Sequence, residues 1–309
     1  MASAMTDAVT EPPSDAELVA DLVALLDPLS QGKDRFVGPR KKGGRGRVFG
    51  GQVIAQALIA AERTVDEDRS AHSLHAYFLR GGSEDHEIEL TVDRQLDGGS
   101  FSNRRVVASQ PDEEGTMRPI LNLAASFQKH QPGLEHTRYD VPDVPPPEDL
   151  RTDEELRNEI APSLPERVRQ MFAEPRPIEI RATTGRHWLT QGPQDPVQNS
   201  WFRARSKLPD DPRIHRAVLA YLSDMQLLGT SIMPHGLSWM RGEVKSASLD
   251  HTIWFHEPFR ADEWLLYYCD SPWSGGSRGF NRGSIFQNGR LVASVAQEGM
   301  IRRAEPRAR

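Results

Sequence analysis

The stretch Phe49-Gly-Gly-Gln-Val-Ile-Ala-Gln-Ala-Leu58 decides how this 309-residue chain folds. Two glycines open it, and small and apolar residues follow, a pattern that predicts a buried helix. Four strand-like segments come next, separated by turn residues, at positions 74–79, 87–95, 101–110 and 119–127. Because no crossover helices separate these segments, the pattern indicates an α+β unit in which an antiparallel sheet wraps one helix.

The second half of the chain repeats this order. Asp210-Asp211-Pro212 is an N-cap followed by proline, and it predicts a helix that runs to about residue 228. The strands predicted around it lie at positions 179–184, 200–205, 247–255, 264–271, 278–287 and 290–297. Phe78 and Phe255 lie 177 residues apart, as do Gly98 and Gly275, so we infer that one supersecondary unit has been duplicated.

Two further matches extend the repeat with other offsets. Gln52 aligns with Gln226 at an offset of 174 residues, and Ala125 aligns with Ala293 at an offset of 168. The first offset places Asp224 opposite Gly50, which has no side chain. We therefore expect one site per chain, in the second half.

Composition shifts divide the chain into four parts. Residues 1–14 read as a disordered tail, residues 15–130 as the first unit, and residues 179–309 as the second. Between the two units, residues 131–178 are rich in proline and charge, so we predict a linker with short helices at about 153–160 and 166–172.

The bulk composition narrows the class of protein. No apolar run approaches a membrane helix, the N-terminus has no secretory pattern, and the lone cysteine, Cys269, suits a reducing compartment, so we predict a cytoplasmic protein. A net charge of −6 gives no reason to expect nucleic acid or membrane partners. The histidines lack metal-type spacing, so we predict no metal site.

Five segments, taken in order, resemble the acyl-CoA thioesterase II (TesB-like) family: Val48-Phe-Gly-Gly-Gln-Val-Ile-Ala-Gln-Ala-Leu58, His72-Ser-Leu-His-Ala-Tyr-Phe-Leu-Arg80, Tyr221-Leu-Ser-Asp224, Leu249-Asp-His-Thr-Ile-Trp-Phe-His256 and Val292-Ala-Ser-Val-Ala-Gln-Glu-Gly299. The resemblance covers roughly residues 18–302. It implies a tandem (double) hotdog fold, hydrolysis of acyl-CoA to free acid and CoA, and no cofactor.

The resemblance also implies a catalytic trio, which falls on Asp224, Ser248 and Gln297. Position 248 is serine where well-known members of the family have threonine, but the hydroxyl is kept. Asp224 has independent support because it falls on an apolar stripe of the second predicted helix. Burial there raises the pKa of a carboxyl group toward a value useful for a general base.

Six further residues are expected to bind the substrate: Arg40, Lys41, Lys42, Gly50, Gly51 and His72. The three basic residues lie in a glycine-rich loop before the first predicted helix, where they would attract the phosphates of CoA. Backbone N–H groups for a developing oxyanion are expected either from the two glycines at the helix N-terminus or from the turn near Ser223. The histidine is expected near the site.

Two other nucleophiles are rejected. Gly275-Gly-Ser277-Arg-Gly279 matches the G-x-S-x-G pattern of serine hydrolases, but a strand-like segment follows it and no histidine occurs after Ser277. Cys269 lies in an apolar strand and is expected to pack in the core.

Two alternative functions stay open at this point. One is a hotdog-type hydratase or dehydratase acting on acyl thioesters, which needs a histidine near the acid; the segment around Asp224 offers only His215, more than two turns away. The other is a non-catalytic acyl-CoA-binding protein. We also expect a homodimer or homotetramer.

Overall fold

The computed structural model describes residues 12–164, 166–183 and 190–305. The first eleven residues of the predicted tail, residue 184 of the predicted strand 179–184, and residues 306–309 lie outside this part of the chain. Helix α1 begins after Ser14, whose side chain forms a reciprocal capping box with Glu17, as expected for this residue pair.

The regular elements of the first half are α1 (Asp15–Leu26), β1 (Leu29–Ser30), β2 (Arg35–Gly38), α2 (Gly50–Glu62), β3 (Arg69–Phe78), β4 (Ile88–Asp97), β5 (Phe101–Pro111) and β6 (Met117–Lys129). Those that follow are α3 (Asp153–Ile160), α4 (Glu166–Ala173), β7 (Ile178–Ala182), β8 (Val197–Ala204), α5 (Pro212–Ser223), the 3₁₀-helix Leu227–His235, β9 (Val244–Ser248), β10 (Asp250–Phe255), β11 (Leu265–Gly275), β12 (Arg278–Gln287) and β13 (Arg290–Arg303).

All described strands belong to one antiparallel sheet. Its order is β1-β2-β4-β5-β6-β3-β10-β13-β12-β11-β8-β7, with β9 paired to the far end of β13. The sheet is continuous because β3 of the first half pairs with β10 of the second. Helix α2 is buried almost throughout and packs against β3–β6 and against α5. The predicted α+β double hotdog is therefore confirmed.

The two halves are related by an approximate two-fold symmetry. Ser73 pairs with Trp254, and Tyr77 pairs with Asp250. Adding 177 to positions 73 and 77 gives 250 and 254, so each of these pairs is the symmetry image of the other. The offset predicted for β3 and β10 therefore agrees with the register at their junction.

The register corrects the two other offsets. Counted from their first residues, 50 and 212, helices α2 and α5 align with an offset of 162, which places Asp224 opposite Glu62 at the C-terminal end of α2 and not opposite Gly50. Phe255 pairs with Ala293, whereas its counterpart Phe78 pairs with residue 121, so the offset for β6 and β13 is 172 and not 168. The offset rises from 162 to 177 because the second half inserts the 3₁₀-helix and β9 between its helix and β10, and it falls to 172 because the β12–β13 hairpin has a shorter turn than the β5–β6 hairpin.

Three local predictions also differ from the structure. The second predicted helix ends at Ser223 and not near residue 228, and the predicted strand 247–255 is divided into β9 and β10. The short strands β1 and β2 were not predicted. Helices α3 and α4 lie within the predicted linker, close to the positions expected. No helix among the described residues is long and apolar enough to cross a membrane.

Candidate active site

Three elements bring Asp224, Ser248 and Gln297 together. Asp224 is the C-cap residue of α5, Ser248 ends β9, and Gln297 lies within β13. The amide nitrogen of Gln297, Nε2, lies 2.7 Å from Asp224 Oδ1 and 3.1 Å from Ser248 Oγ. The structure thus joins the three residues of the predicted trio. Asp224 lies one residue beyond the helix that was expected to contain it.

The N-terminus of α2 faces Asp224 because α2 and α5 run antiparallel. A Cβ atom on Gly50 would lie 2.7 Å from Asp224 Oδ2 and 2.8 Å from Phe78 Cζ, so only glycine fits there without a shift. A Cβ on Gly51 would overlap the backbone oxygen of Tyr221. The two glycines therefore let the helix end approach the carboxylate closely.

The Asp224 carboxylate is buried, with 6% of its side chain exposed. Burial raises the pKa of Asp224 to about 6, while hydrogen bonds from Gln297, from the Gly51 backbone N–H and from Ser248 partly oppose that rise. Because this pKa lies close to neutrality, the carboxylate is mostly ionised at pH 7 and is more basic than an exposed aspartate.

The site opens into a cavity of about 700 Å³, which both Asp224 and Ser248 line. Most of its wall is apolar: Val48, Phe49, Val53, Phe78, Leu79, Ile120, Leu121, Ile180, Met225, Leu228, Trp239 and Leu249. Three arginines, Arg47, Arg80 and Arg176, line the same cavity. A mostly apolar cavity with a few cations is suited to a ligand that joins a hydrophobic chain to anionic groups.

Comparison with known proteins agrees with this geometry. Residues 168–300 match the family described as acyl-CoA thioesterase, and residues 39–128 match the acyl-CoA thioesterase N-terminal domain. Acyl-coenzyme A thioesterase 8 from Homo sapiens is 40% identical over 301 residues, covering 94% of this chain and 92% of that protein. Acyl-CoA thioesterase 2 from Haemophilus influenzae is 37% identical over 271 residues, covering 87% and 93%. The chain belongs to the acyl-CoA thioesterase family.

A solved structure gives the same result. The crystal structure of the acyl-CoA thioesterase II TesB2 from Mycobacterium marinum matches with a TM-score of 0.71 and 40% identity, covering 91% of this chain and 98% of that one. The family predicted from the five sequence segments is thus confirmed, together with the enzyme class, a thioester hydrolase.

The loop residues predicted to bind substrate in this thioesterase lie beside the cavity of Asp224, not in its wall. Arg40, Lys41 and Lys42 line a neighbouring cavity of about 470 Å³, which shares Phe49, Arg176 and Met225 with the first. Lys41 pairs with a glutamate and Lys42 with an aspartate, at 3.0 and 2.9 Å. These pairs offset much of the positive charge that was expected to attract phosphate.

The structure does not bring His72 to the site. Its imidazole Nε2 lies 2.8 Å from Ser126 Oγ, and its ring packs edge-on against Phe101. His72 lies on β3 and does not line the cavity that holds Asp224. The prediction that placed it there is therefore not supported by its position.

The rejected nucleophiles are placed as expected. Ser277 lies in the hairpin between β11 and β12 with a φ of 64°, and strand β12 follows it, so the strand-to-helix elbow of a serine hydrolase is absent from this segment. Cys269 is buried, and burial raises the pKa of its thiol, which keeps it unreactive. In the described part of the chain no group of His, Cys, Asp and Glu side chains could hold a metal ion.

Sequence reasoning missed His251, the histidine closest to the trio. Its Nδ1 lies 3.1 Å from Gln297 Nε2 and 3.8 Å from Asp224 Oδ1, and its side chain is fully buried. Burial lowers the pKa of His251 to about 3, so the ring is neutral. The sequence signal for His251 was its place in β10, opposite the position of Gln297 in the paired strand β13.

The cavity arginine Arg176 was missed for a different reason. Arg176 and Asp153, whose side chains lie 3.8 Å apart, come from the proline-rich segment between the halves. That segment was predicted to be a linker with short helices. Because α3 packs against β7 of the second half, the segment also supplies part of the cavity wall.

Proposed function

We propose that this chain hydrolyses fatty acyl-CoA to a free fatty acid and CoA, with Asp224 activating water and no covalent enzyme intermediate. The observation that carries the proposal is a buried carboxylate with a pKa near 6, held by Gln297 and Ser248 at the wall of a largely apolar cavity. A buried carboxylate with that pKa is matched to general-base work at neutral pH.

In the proposed reaction, water gives a proton to Asp224 while its oxygen bonds to the thioester carbonyl carbon. The tetrahedral intermediate then breaks the carbon–sulfur bond, and the proton passes from Asp224 to the leaving thiolate. Water and acyl-CoA are thereby converted to acid and CoA, and the enzyme returns to its starting state. Ser248 and Gln297 hold the carboxylate and the water in the geometry that this step needs.

The first turn of α2 supports the proposal at the oxyanion. Gly51 gives its backbone N–H to Asp224, whereas Gly50 lines the cavity at a helix end whose N–H groups lack partners within the helix. We assign the Gly50 N–H as a donor to the developing oxyanion.

The cavity wall suggests how the two ends of acyl-CoA are held. Apolar side chains suit the fatty acyl chain, and Arg47 and Arg80 suit the CoA phosphates. We propose that these two arginines carry most of the phosphate attraction. Arg40, Lys41 and Lys42 add only weaker steering, because all three lie at the neighbouring cavity and the two lysines form ion pairs.

We also propose a single site per chain, which now follows from the corrected alignment of the two halves. The counterpart of Asp224 is Glu62, which is buried but lies 2.8 Å from Arg216. The counterpart of Gln297, at an offset of 172, is Ala125. Burial raises the pKa of Glu62 despite its guanidinium partner, but Glu62 lacks the amide partner and does not line the cavity of Asp224, so we propose no second site in the first half.

One observation favours the hydratase or dehydratase alternative, namely the proximity of His251 to Asp224. Two facts oppose it: the ring is fully buried, and both ring nitrogens already have partners. The test compares two rates in the same enzyme preparation: thiol release from a saturated acyl-CoA, and hydration of the matching enoyl-CoA. Hydration faster than thiol release would favour the alternative.

The main test is a set of substitutions assayed by free-thiol release from a fatty acyl-CoA. Asp224→Asn keeps the shape but not the basicity, so we expect kcat to fall about 10²–10⁴-fold with the fold retained. Gln297→Ala and Ser248→Ala should each cost less. Because the three residues act together, adding Gln297→Ala to Asp224→Asn should lower kcat little further. A folded Asp224→Asn enzyme with full activity would refute the proposed role. An unsubstituted chain that binds acyl-CoA but releases no thiol would instead favour the non-catalytic binding alternative.

A further inference from the structure

We propose that His251 is a positioning residue that fixes the orientation of the Gln297 amide and so keeps its N–H group on the Asp224 carboxylate. The inference rests on the proposed function. Among the described residues the amide oxygen of Gln297, Oε1, is buried and has no hydrogen-bond partner, whereas its Nε2 faces three acceptors. An unpartnered buried carbonyl oxygen is costly, so the hydrogen bonds of Nε2 must hold the amide in this orientation.

The direction of each hydrogen bond in the series Ala220–Ser223–His251–Gln297 follows from its first member. The backbone oxygen of Ala220 can only accept, so the Ser223 hydroxyl, 3.0 Å away, donates to it. The Ser223 oxygen is then free to accept from His251 Nε2, 2.9 Å away. The proton of the neutral ring is therefore on Nε2, and Nδ1 is left as an acceptor for the Gln297 amide, 3.1 Å away.

The opposite amide orientation is disfavoured at both neighbours. With the amide reversed, Oε1 would lie about where Nε2 is now, 2.7 Å from the Asp224 carboxylate, where two acceptor oxygens repel each other. It would also face His251 Nδ1, which carries no proton. The Asp224 carboxylate no longer favours this amide orientation once it is protonated during the reaction. His251 favours the same orientation throughout the cycle.

The symmetry of the fold shows that packing does not require these polar groups. At offsets of 177 and 172, the counterparts of His251 and Gln297 are Leu74 and Ala125, which pair across β3 and β6. At an offset of 162, the counterpart of Ser223 is Ala61. The first half thus fills the same positions with apolar side chains, and the polar series occurs only in the half that contains Asp224.

The experiment compares two substitutions at position 251 in the full-length enzyme. His251→Leu copies the residue of the first half and removes the acceptor, whereas His251→Asn keeps an oxygen near the place of Nδ1. We expect His251→Leu to lower kcat about tenfold with KM unchanged. His251→Asn should stay within about threefold of the unsubstituted enzyme, on the same scale of one retained hydrogen bond.

The pH profile separates positioning from packing. The hydrogen bond from Gln297 lowers the pKa of Asp224, so a loosened amide should let that pKa rise and shift the acidic limb of kcat/KM to higher pH. Of the titratable side chains packed around Asp224, His251 stays unprotonated because it is buried, and burial raises the pKa of Tyr267. The three arginines and Asp153 that line the cavity are the same in both variants, so they do not contribute to the difference. Unchanged kcat and pH profile in folded His251→Leu would overturn the proposal, as would equal losses in both variants.

A second measurement does not depend on activity or on the stability of the variants. In the unsubstituted protein labelled with ¹⁵N-histidine, His251 should show a protonated Nε2 and an unprotonated Nδ1 from pH 5 to 8. A proton on Nδ1 would overturn the inference. If the unsubstituted protein releases no thiol, the proposed function fails, and the NMR readout still decides the orientation of the amide. If the unsubstituted protein is active and both variants at position 251 behave like it, the inference about His251 fails and the proposed function stands.

Discussion

Replacing Gly50 by alanine should impair the reaction by displacing the Asp224 carboxylate. The new Cβ would lie 2.7 Å from Asp224 Oδ2, whereas ordinary contact begins at 3.4 Å, so the carboxylate or the helix end must move by about 0.7 Å. The same Cβ would lie 2.8 Å from Phe78, which limits the space for relief. The substitution keeps the backbone N–H, so it tests the position of the base rather than the oxyanion donor.

The size of the effect follows from how steeply rate depends on position. A misplacement of about 1 Å can cost about 100-fold, so we expect kcat to fall roughly 10- to 100-fold in Gly50→Ala. Overpacking typically costs about 1–3 kcal/mol of unfolding free energy, partly offset by the gain of about 0.4–1 kcal/mol that alanine brings in place of glycine. The variant should therefore remain folded.

The assay is thiol release under saturating fatty acyl-CoA, with thermal unfolding of each variant as a check on the fold. Gly99→Ala is the matched control, because a Cβ on Gly99 meets no atom within 4 Å. Gly99 lies in the turn between β4 and β5. Gly99→Ala should retain full activity. Full activity in Gly50→Ala would refute the reasoning, because the carboxylate would not need the space that the glycine leaves.

Three further outcomes are expected. Because Asp224 must be ionised to accept a proton, kcat/KM should fall as the pH drops through about 6, by about tenfold per pH unit below it; a flat profile between pH 5 and 7 would exclude this group as the base. Arg47→Ala/Arg80→Ala should raise KM and flatten its salt dependence more than Lys41→Ala/Lys42→Ala, which removes the same charge; the reverse order would assign phosphate binding to the loop. Cys269→Ala and Ser277→Ala should each keep most of the turnover; loss of most of it in either folded variant would point to a covalent nucleophile.

Much of the fold could be predicted from the sequence because its signals are local. The capping box at Ser14, the proline after Asp211 and the Asn288-Gly289 turn each fix an element boundary through contacts within a few residues. The repeat order followed from matched strands. The end of α5 could not be predicted in this way, because Met225 and the 3₁₀-helix after it remain apolar and continue the helical pattern.

The site was predictable only in part. Asp224 stands out as a carboxylate on an apolar stripe, but Ser248 and Gln297 depended on the resemblance to the family. His251 and Arg176 were missed because their roles arise from contacts across the sheet and from the segment between the halves. The offset of 174 failed for the same reason, since an insertion after α5 is visible only once the strand register is known.

The claim that Asp224 activates water, and does not itself attack the thioester, is tested most directly by a single turnover in H₂¹⁸O. Enzyme in excess over fatty acyl-CoA should yield a fatty acid that carries one ¹⁸O atom, and the peptide containing Asp224 should remain unlabelled. An unlabelled acid, or ¹⁸O in the carboxylate of Asp224 after that turnover, would show that the enzyme forms a covalent intermediate and would contradict the account.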